Sequence, residues 1–343
     1  MPLHIRVLAT RVALVALVEM GLTAGFPQRL PAEESTQAHP TTRPQGGVVS
    51  TVRAGNVEFA AVSINHSPAT WWLIDTGATM CEFDLDSARQ LHLKRSLRYK
   101  LTSNPKNRGE QFIFVEAPDL LVGTIQCGPL VMLSHPLIQA LSQSPSPLNW
   151  TGAFEKTGLL GMNLLMAKHA LIVWRRQQIY LDPSDQQVKS KSDYEAEGYS
   201  AIPLRITGSR QVQIEGTLKS NHHQFCLDTG TPRTMIEQSI VDQDRLPSRM
   251  TNSVVKSPMK DFPDSKVRQV VGSRFKLGDC DLTSRKVLAA SLHLTKSDRG
   301  DIWAGLIGAD VLWDYDAVID FGSDTLYLRA SEKNHGFSDR GER

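Results

Sequence analysis

Apolar and polar positions alternate through "VEFAAVSI" (57–64). The chain then turns polar at Asn65-His66-Ser67 and runs apolar again through "WWLI" to Asp75. A second stretch repeats the plan: "VQIEGTL" (212–218) alternates, Ser220-Asn221-His222 is polar, and "FCL" leads into Asp228. Alternation of period two, broken by a short polar turn, predicts a β-hairpin in each place. Each second strand delivers a carboxylate followed at once by threonine and glycine. The triplets Asp75-Thr76-Gly77 and Asp228-Thr229-Gly230 stand 153 positions apart.

The repetition continues downstream, which marks an internal duplication. "LLVGTIQCGPLVML" (120–133) is answered by "FKLGDCDLTSRKVLAA" (275–290), with Cys127 and Cys280 in similar places. "TGLLGMNLL" (157–165) is answered by "AGLIGADVL" (304–312), and each is followed by a strand-like pair, "HALIVWRRQQIYLD" and "YDAVIDFGSDTLYLR". These patterns predict an all-β (mostly β) protein of two β-rich lobes of similar plan, over residues 48–182 and 200–330. A polar linker at 183–199 joins the lobes, and 331–343 reads as a disordered tail. Helix is expected only at 86–94 and in a short turn after each Gly-Leu-(Leu/Ile)-Gly.

Composition narrows the partners. Apolar residues are 41% and charged residues 22% of 343, with a net charge of +2, so nothing calls for nucleic acid. The basic residues at Lys94, Arg95, Arg98, Lys100, Lys106 and Arg108 lack interleaved aromatics and read as a solvated face. Cys81, Cys127, Cys226 and Cys280 form no Cys-x-x-Cys pair and have no His at zinc-finger spacing, so no structural metal is expected. Four cysteines allow three disulfide pairings, and spacing does not choose among them. A basic start followed by "VALVALV" (12–18) predicts a signal peptide over 1–25 and export. That run is too short to span a bilayer. Residues 26–47, rich in Pro, Gln and Thr, read as a flexible leader or short pro-segment.

A single Asp-Thr-Gly is no more than an Asp-initiated turn. Two of them, each after an apolar strand and each matched to a later Gly-Leu-(Leu/Ile)-Gly, carry more. The sequence resembles the aspartic proteases: "IDTGA" resembles the retropepsin form and "LDTGT" the second-lobe form of the pepsin-like enzymes. The resemblance spans about residues 50–330 and implies two similar β-barrel-like lobes with a cleft between them, and an aspartic endopeptidase with Asp75 and Asp228 as its catalytic pair. In such a pair the two carboxyls share one proton; one accepts a proton from water while the other donates to the peptide carbonyl. Thr76 and Thr229 would bond across the lobe interface, and Gly77 and Gly230 would let backbone amides approach the carboxylates. Ala78 and Thr231 differ between the halves; the Thr231 hydroxyl would favour charge on Asp228 and leave the proton on Asp75.

The resemblance also implies a peptide or protein substrate, no cofactor, and a monomer sufficient for the site, since both aspartates lie on one chain. A catalytically inactive peptide-binding or scaffolding protein of the same fold is the alternative. Pro232 departs from the family pattern and puts the geometry of its loop in question. Substrate-covering hairpins fall at 99–114, turning at Asn104–Gly109, and within 253–270. Trp71 and Trp72 read as packing residues.

Overall fold

A computed structural model describes residues 46–96, 113–136, 156–255, 265–272, 274–283, 285–292, 294 and 303–329. The predicted signal peptide, most of the leader, the tail and the turn of the first covering hairpin lie outside the described residues, as does the centre of the second. The first strand among the described residues is Gly47–Ser50.

The architecture is mostly β, as the alternation predicts. Each lobe holds a ten-stranded, curled sheet built to one plan. In the first, Val57–Ile64 and Thr70–Ile74 pair antiparallel, and Lys156–Leu160 pairs parallel to Thr70–Ile74 on its other side. In the second, Val212–Leu218, Asn221–Leu227 and Gly305–Ile307 stand in the same relation. The first hairpin turns at Asn65 and His66, both at positive φ. The second turns at Lys219-Ser220, slightly earlier than the polar cluster suggests, because Leu218 pairs with Asn221.

A six-stranded sheet joins the lobes. Its order is Gly47–Ser50, Gln178–Leu181, Leu171–Val173, Val318–Asp320, Thr325–Leu328, Ser200–Pro203. The strand-like pairs found downstream of each repeat meet here, Ile172 opposite Ile319. One apolar core runs from Val49 through Trp72, Trp174 and Phe225 to Leu328. Trp72 is fully buried and stacks on Phe83 at 5.2 Å, in keeping with a packing role.

Helices are short. Leu85–Gln90 is capped by Asp84, whose carboxylate accepts from the amides of Asp86 and Ser87. Met162–Ala167 and Ala309–Asp314 follow the two Gly-Leu-(Leu/Ile)-Gly segments. The linker is more ordered than its polarity suggests: Lys191–Ala196 is helical behind a Ser190/Asp193 capping box, and Tyr194 stacks on Tyr327 at 4.1 Å. All four cysteines are buried free thiols, and burial pushes Cys81 up to about 12 and Cys127 to about 11.

Candidate functional site

The two Asp-Thr-Gly turns meet where the lobes face each other. Each aspartate is held at its strand end by the parallel neighbour: the Asp75 amide donates to the Leu160 carbonyl and the Asp228 amide to that of Ile307, both at 3.0 Å. The turns then tighten, the amides of Ala78 and Thr231 reaching back to the carbonyls of Asp75 and Asp228. A second pair of bonds ties each turn to the glycine segment, Met162 donating to Ala78 and Ala309 to Thr231, both at 2.8 Å. A Cβ on Gly161 would lie 2.1 Å from the Met80 carbonyl oxygen, so only glycine permits this approach.

Thr76 and Thr229 clasp each other reciprocally. The Thr76 amide donates to Thr229 Oγ1 (3.0 Å) and the Thr229 amide to Thr76 Oγ1 (3.1 Å). Each hydroxyl donates onward across the interface, Thr76 to the Leu227 carbonyl (2.7 Å) and Thr229 to that of Ile74 (2.8 Å). Every polar atom of both side chains is thus satisfied inside a buried interface, where an unpaired one would cost about 1–3 kcal/mol.

The carboxylates are brought together by this clasp. Both aspartates are enclosed, Asp75 fully and Asp228 at 1% exposure. A Cβ on Gly77 would lie 2.7 Å from the Asp228 carboxyl carbon, which shows how closely the first turn approaches the second acid. Gly77 donates its amide to Asp75 Oδ1 and Gly230 to Asp228 Oδ1, both at 3.0 Å. The halves differ at the next residue. Thr231 donates its amide to Asp228 Oδ1 (3.1 Å) and its hydroxyl to Oδ2 (2.6 Å). Ala78 instead packs among Phe59, Leu73 and Leu159. Pro232 leaves the loop undistorted, since the second turn makes the same backbone bonds as the first.

Residues that the motifs do not mark support the loops from below. Asn163 accepts from the Cys81 amide at 2.7 Å and donates to the Val131 carbonyl. Its counterpart Asp310 accepts from the Thr234 amide and hydroxyl, both at 2.8 Å, and pairs with Arg285 at 3.1 Å. Aligning "GLLGMN" with "GLIGAD" would have found both. Glu82 and His135, a buried pair at 2.9 Å, carried no sequence signal because their elements are 53 positions apart. Among the described residues no group of His, Cys, Asp and Glu could hold a metal ion. No helix there is long and apolar enough to cross a membrane.

Fold and site together define a two-lobed, mostly β protein with paired, clasped Asp-Thr-Gly turns. No family model matches the chain, and no curated protein does. Among solved structures it is similar to basic 7S globulin from soybean, over 84% of this chain and 95% of the other, at 12% identity and a TM-score of 0.41. It is also similar to conglutin gamma, a basic 7S globulin from lupine seeds, over 84% and 96%, at 10% identity and a TM-score of 0.43. These findings correct the assignment to the catalytic aspartic proteases: both of these structures are basic 7S globulins, and the chain is not placed among the catalytic members. Similarity at this level carries nothing about activity.

Proposed function

We propose that the paired aspartates form a recognition site for the backbone of an extended peptide held between the lobes. The observation that carries this reading is the reciprocal Thr76/Thr229 clasp, which fixes two enclosed carboxyl groups beside each other. Two carboxyls sharing one proton offer a donor and an acceptor side by side, the complement of a peptide carbonyl and amide. Binding without turnover, as in a scaffolding protein, is the first form of the proposal.

Hydrolysis is its second form, and the contacts at Asp228 favour it. The three donors from Gly230 and Thr231 suit a carboxylate that takes a proton from water. Asp75, in the apolar setting of Ala78, would hand its proton to the carbonyl oxygen. The carbonyl carbon gains the hydroxyl; Asp228 then passes the proton it took to the amide nitrogen, one hydroxyl of the intermediate returns its proton to Asp75, and the C–N bond breaks to leave acid and amine. No cofactor enters this chemistry. Export through the predicted signal peptide at 1–25 belongs to the same proposal.

The test is a mixed peptide library offered to the purified chain from pH 3 to 7, with binding and cleavage both recorded. Under the hydrolytic form the parent cuts, and Asp75→Asn or Asp228→Asn lowers the rate by roughly a hundred- to ten-thousand-fold. Under the scaffolding form the parent binds without cutting, and either substitution weakens binding. A folded parent that neither binds nor cuts would end both forms.

A further inference from the structure

The clasp holds the two turns at one place, and a single place of contact leaves rotation about itself. A second contact exists lower on the Asp228 loop, and it comes from the opposite lobe. The strands Val52–Ala54 and Val57–Ile64 pair with Ala54 opposite Val57, leaving Gly55-Asn56 as a two-residue turn. Gly55 takes φ 61°, which suits a glycine at the first turn position. The turn is thereby fixed in shape and presents Asn56 to the second lobe.

Both ends of the Asn56 side chain and its backbone carbonyl are engaged. Its Nδ2 donates to the Pro232 carbonyl at 3.0 Å, 176 positions along the chain. Its Oδ1 accepts from Arg53 Nη2 at 3.2 Å, and its backbone carbonyl accepts from the Trp313 indole at 2.8 Å. The Arg53 guanidinium lies 3.8 Å over the same indole ring, holding the turn and Trp313 face to face. Pro232 brings no amide of its own to the loop, so its carbonyl is the backbone group it can offer a partner. The residue before it, Thr231, is the one that donates twice to Asp228.

We infer that Asn56 is a positioning residue for the paired carboxylates, holding the loop of Asp228 from the first lobe through the Pro232 carbonyl, with Trp313 and Arg53 fixing its aim. Two separated contacts, at the clasp and at Pro232, set both the distance and the tilt between the turns. Asn56 touches neither carboxylate and acts through Thr231 and Pro232. The role rests on Asp75 and Asp228 being the working site, but its first test does not need activity.

That test is amide hydrogen exchange at Gly230 and Thr231, whose N–H groups bond Asp228, against Gly77, whose N–H bonds Asp75. The variants are Asn56→Asp, which keeps the shape and removes the donor, and Trp313→Phe, which keeps a ring under Arg53 and removes the N–H. Loss of one such bond should speed exchange at Gly230 and Thr231 about three- to tenfold and leave Gly77 at the parent rate. Where the parent turns over peptide, Asn56→Asp should also shift the pH profile with KM little changed. Unchanged exchange at Gly230 and Thr231 would overturn the proposal, and so would equal acceleration at all three amides, which marks a merely structural role. Selective acceleration in a chain that neither binds nor cuts peptide would support the positioning and end the proposed function alone.

Discussion

Glu58 sits at a position where strand alternation places a polar residue towards solvent, yet it is fully buried. The Thr51 hydroxyl donates to its Oε2, while Oε1 is buried with no partner. Burial pushes its pKa up to about 7, with the Thr51 bond and nearby Arg53 working against the rise. By strand pairing its counterpart in the second lobe is Val212, because Phe59 stands opposite Leu73 and Gln213 opposite Cys226, each two residues before its aspartate. The second lobe thus carries an apolar residue where the first carries an acid that burial keeps protonated. The sign of the linkage follows. Between about 4.5 and about 7 the folded chain holds a proton that the unfolded chain has lost, so stability falls as pH rises through that window. The loss is on the order of 3 kcal/mol once pH passes the raised value. Thermal unfolding of the parent should therefore decline from pH 5 to pH 8, and Glu58→Gln should remove most of that slope. A variant as pH-dependent as the parent would show that Glu58 is not the group responsible.

At the scale of elements, the Asp-Thr-Gly strands were legible because three signals coincide in each: period-two alternation, a polar turn, and a carboxylate ending an apolar run. The glycine segments were legible for a related reason, since their close approach to the Met80 and Arg233 backbones excludes any side chain. The six-stranded sheet was not. Alternation announces a strand but not its partner, and Leu171–Val173 finds its neighbour at Val318–Asp320 in the other half. The linker helix was missed although Ser190 and Asp193 carry a capping-box spacing, because its polar face outweighs the single buried Tyr194. Asn56 gave no signal, for its partners Pro232 and Trp313 are remote in sequence. The Thr76/Thr229 clasp is the element contact whose energetics are simplest to test. Thr229→Val keeps the shape but leaves the Ile74 carbonyl and the Thr76 amide without their partners. A loss of about 2–4 kcal/mol is expected from two buried groups so treated. Thr76→Val should cost a similar amount, since it leaves the Leu227 carbonyl and the Thr229 amide without theirs, and the double variant should cost less than the two together, because the first loss loosens the interface that holds the other pair of bonds. Strict additivity in urea unfolding would show that the two pairs of bonds act independently rather than as one clasp.

The molecule as a whole is two copies of one plan that have become chemically unequal while remaining one folding unit. Asn163 supports the first loop as a neutral amide, whereas Asp310 supports the second as a carboxylate matched to Arg285. Ala78 packs where Thr231 bonds. Such differences could suggest lobes that fold and melt separately, but the core argues otherwise. It runs from Val49 in the first strand to Leu328 in the last, and the six-stranded sheet takes three strands from each half, joined at Leu171–Val173 and Val318–Asp320. Separating the lobes would strip the Leu171–Val173 strand from Val318–Asp320 and expose two hydrogen-bonding edges with their apolar faces. Neither half keeps its part of that sheet covered without the other. Heating should therefore give one calorimetric transition, with calorimetric and van't Hoff enthalpies in agreement. Cutting the chain within 183–189, ahead of the linker helix, should leave the halves associated and the transition single. Two resolved transitions in the intact chain would mean that the clasp and the Asn56 contact join bodies stable on their own. The shared sheet would then be a consequence of docking rather than the reason the two carboxylates meet.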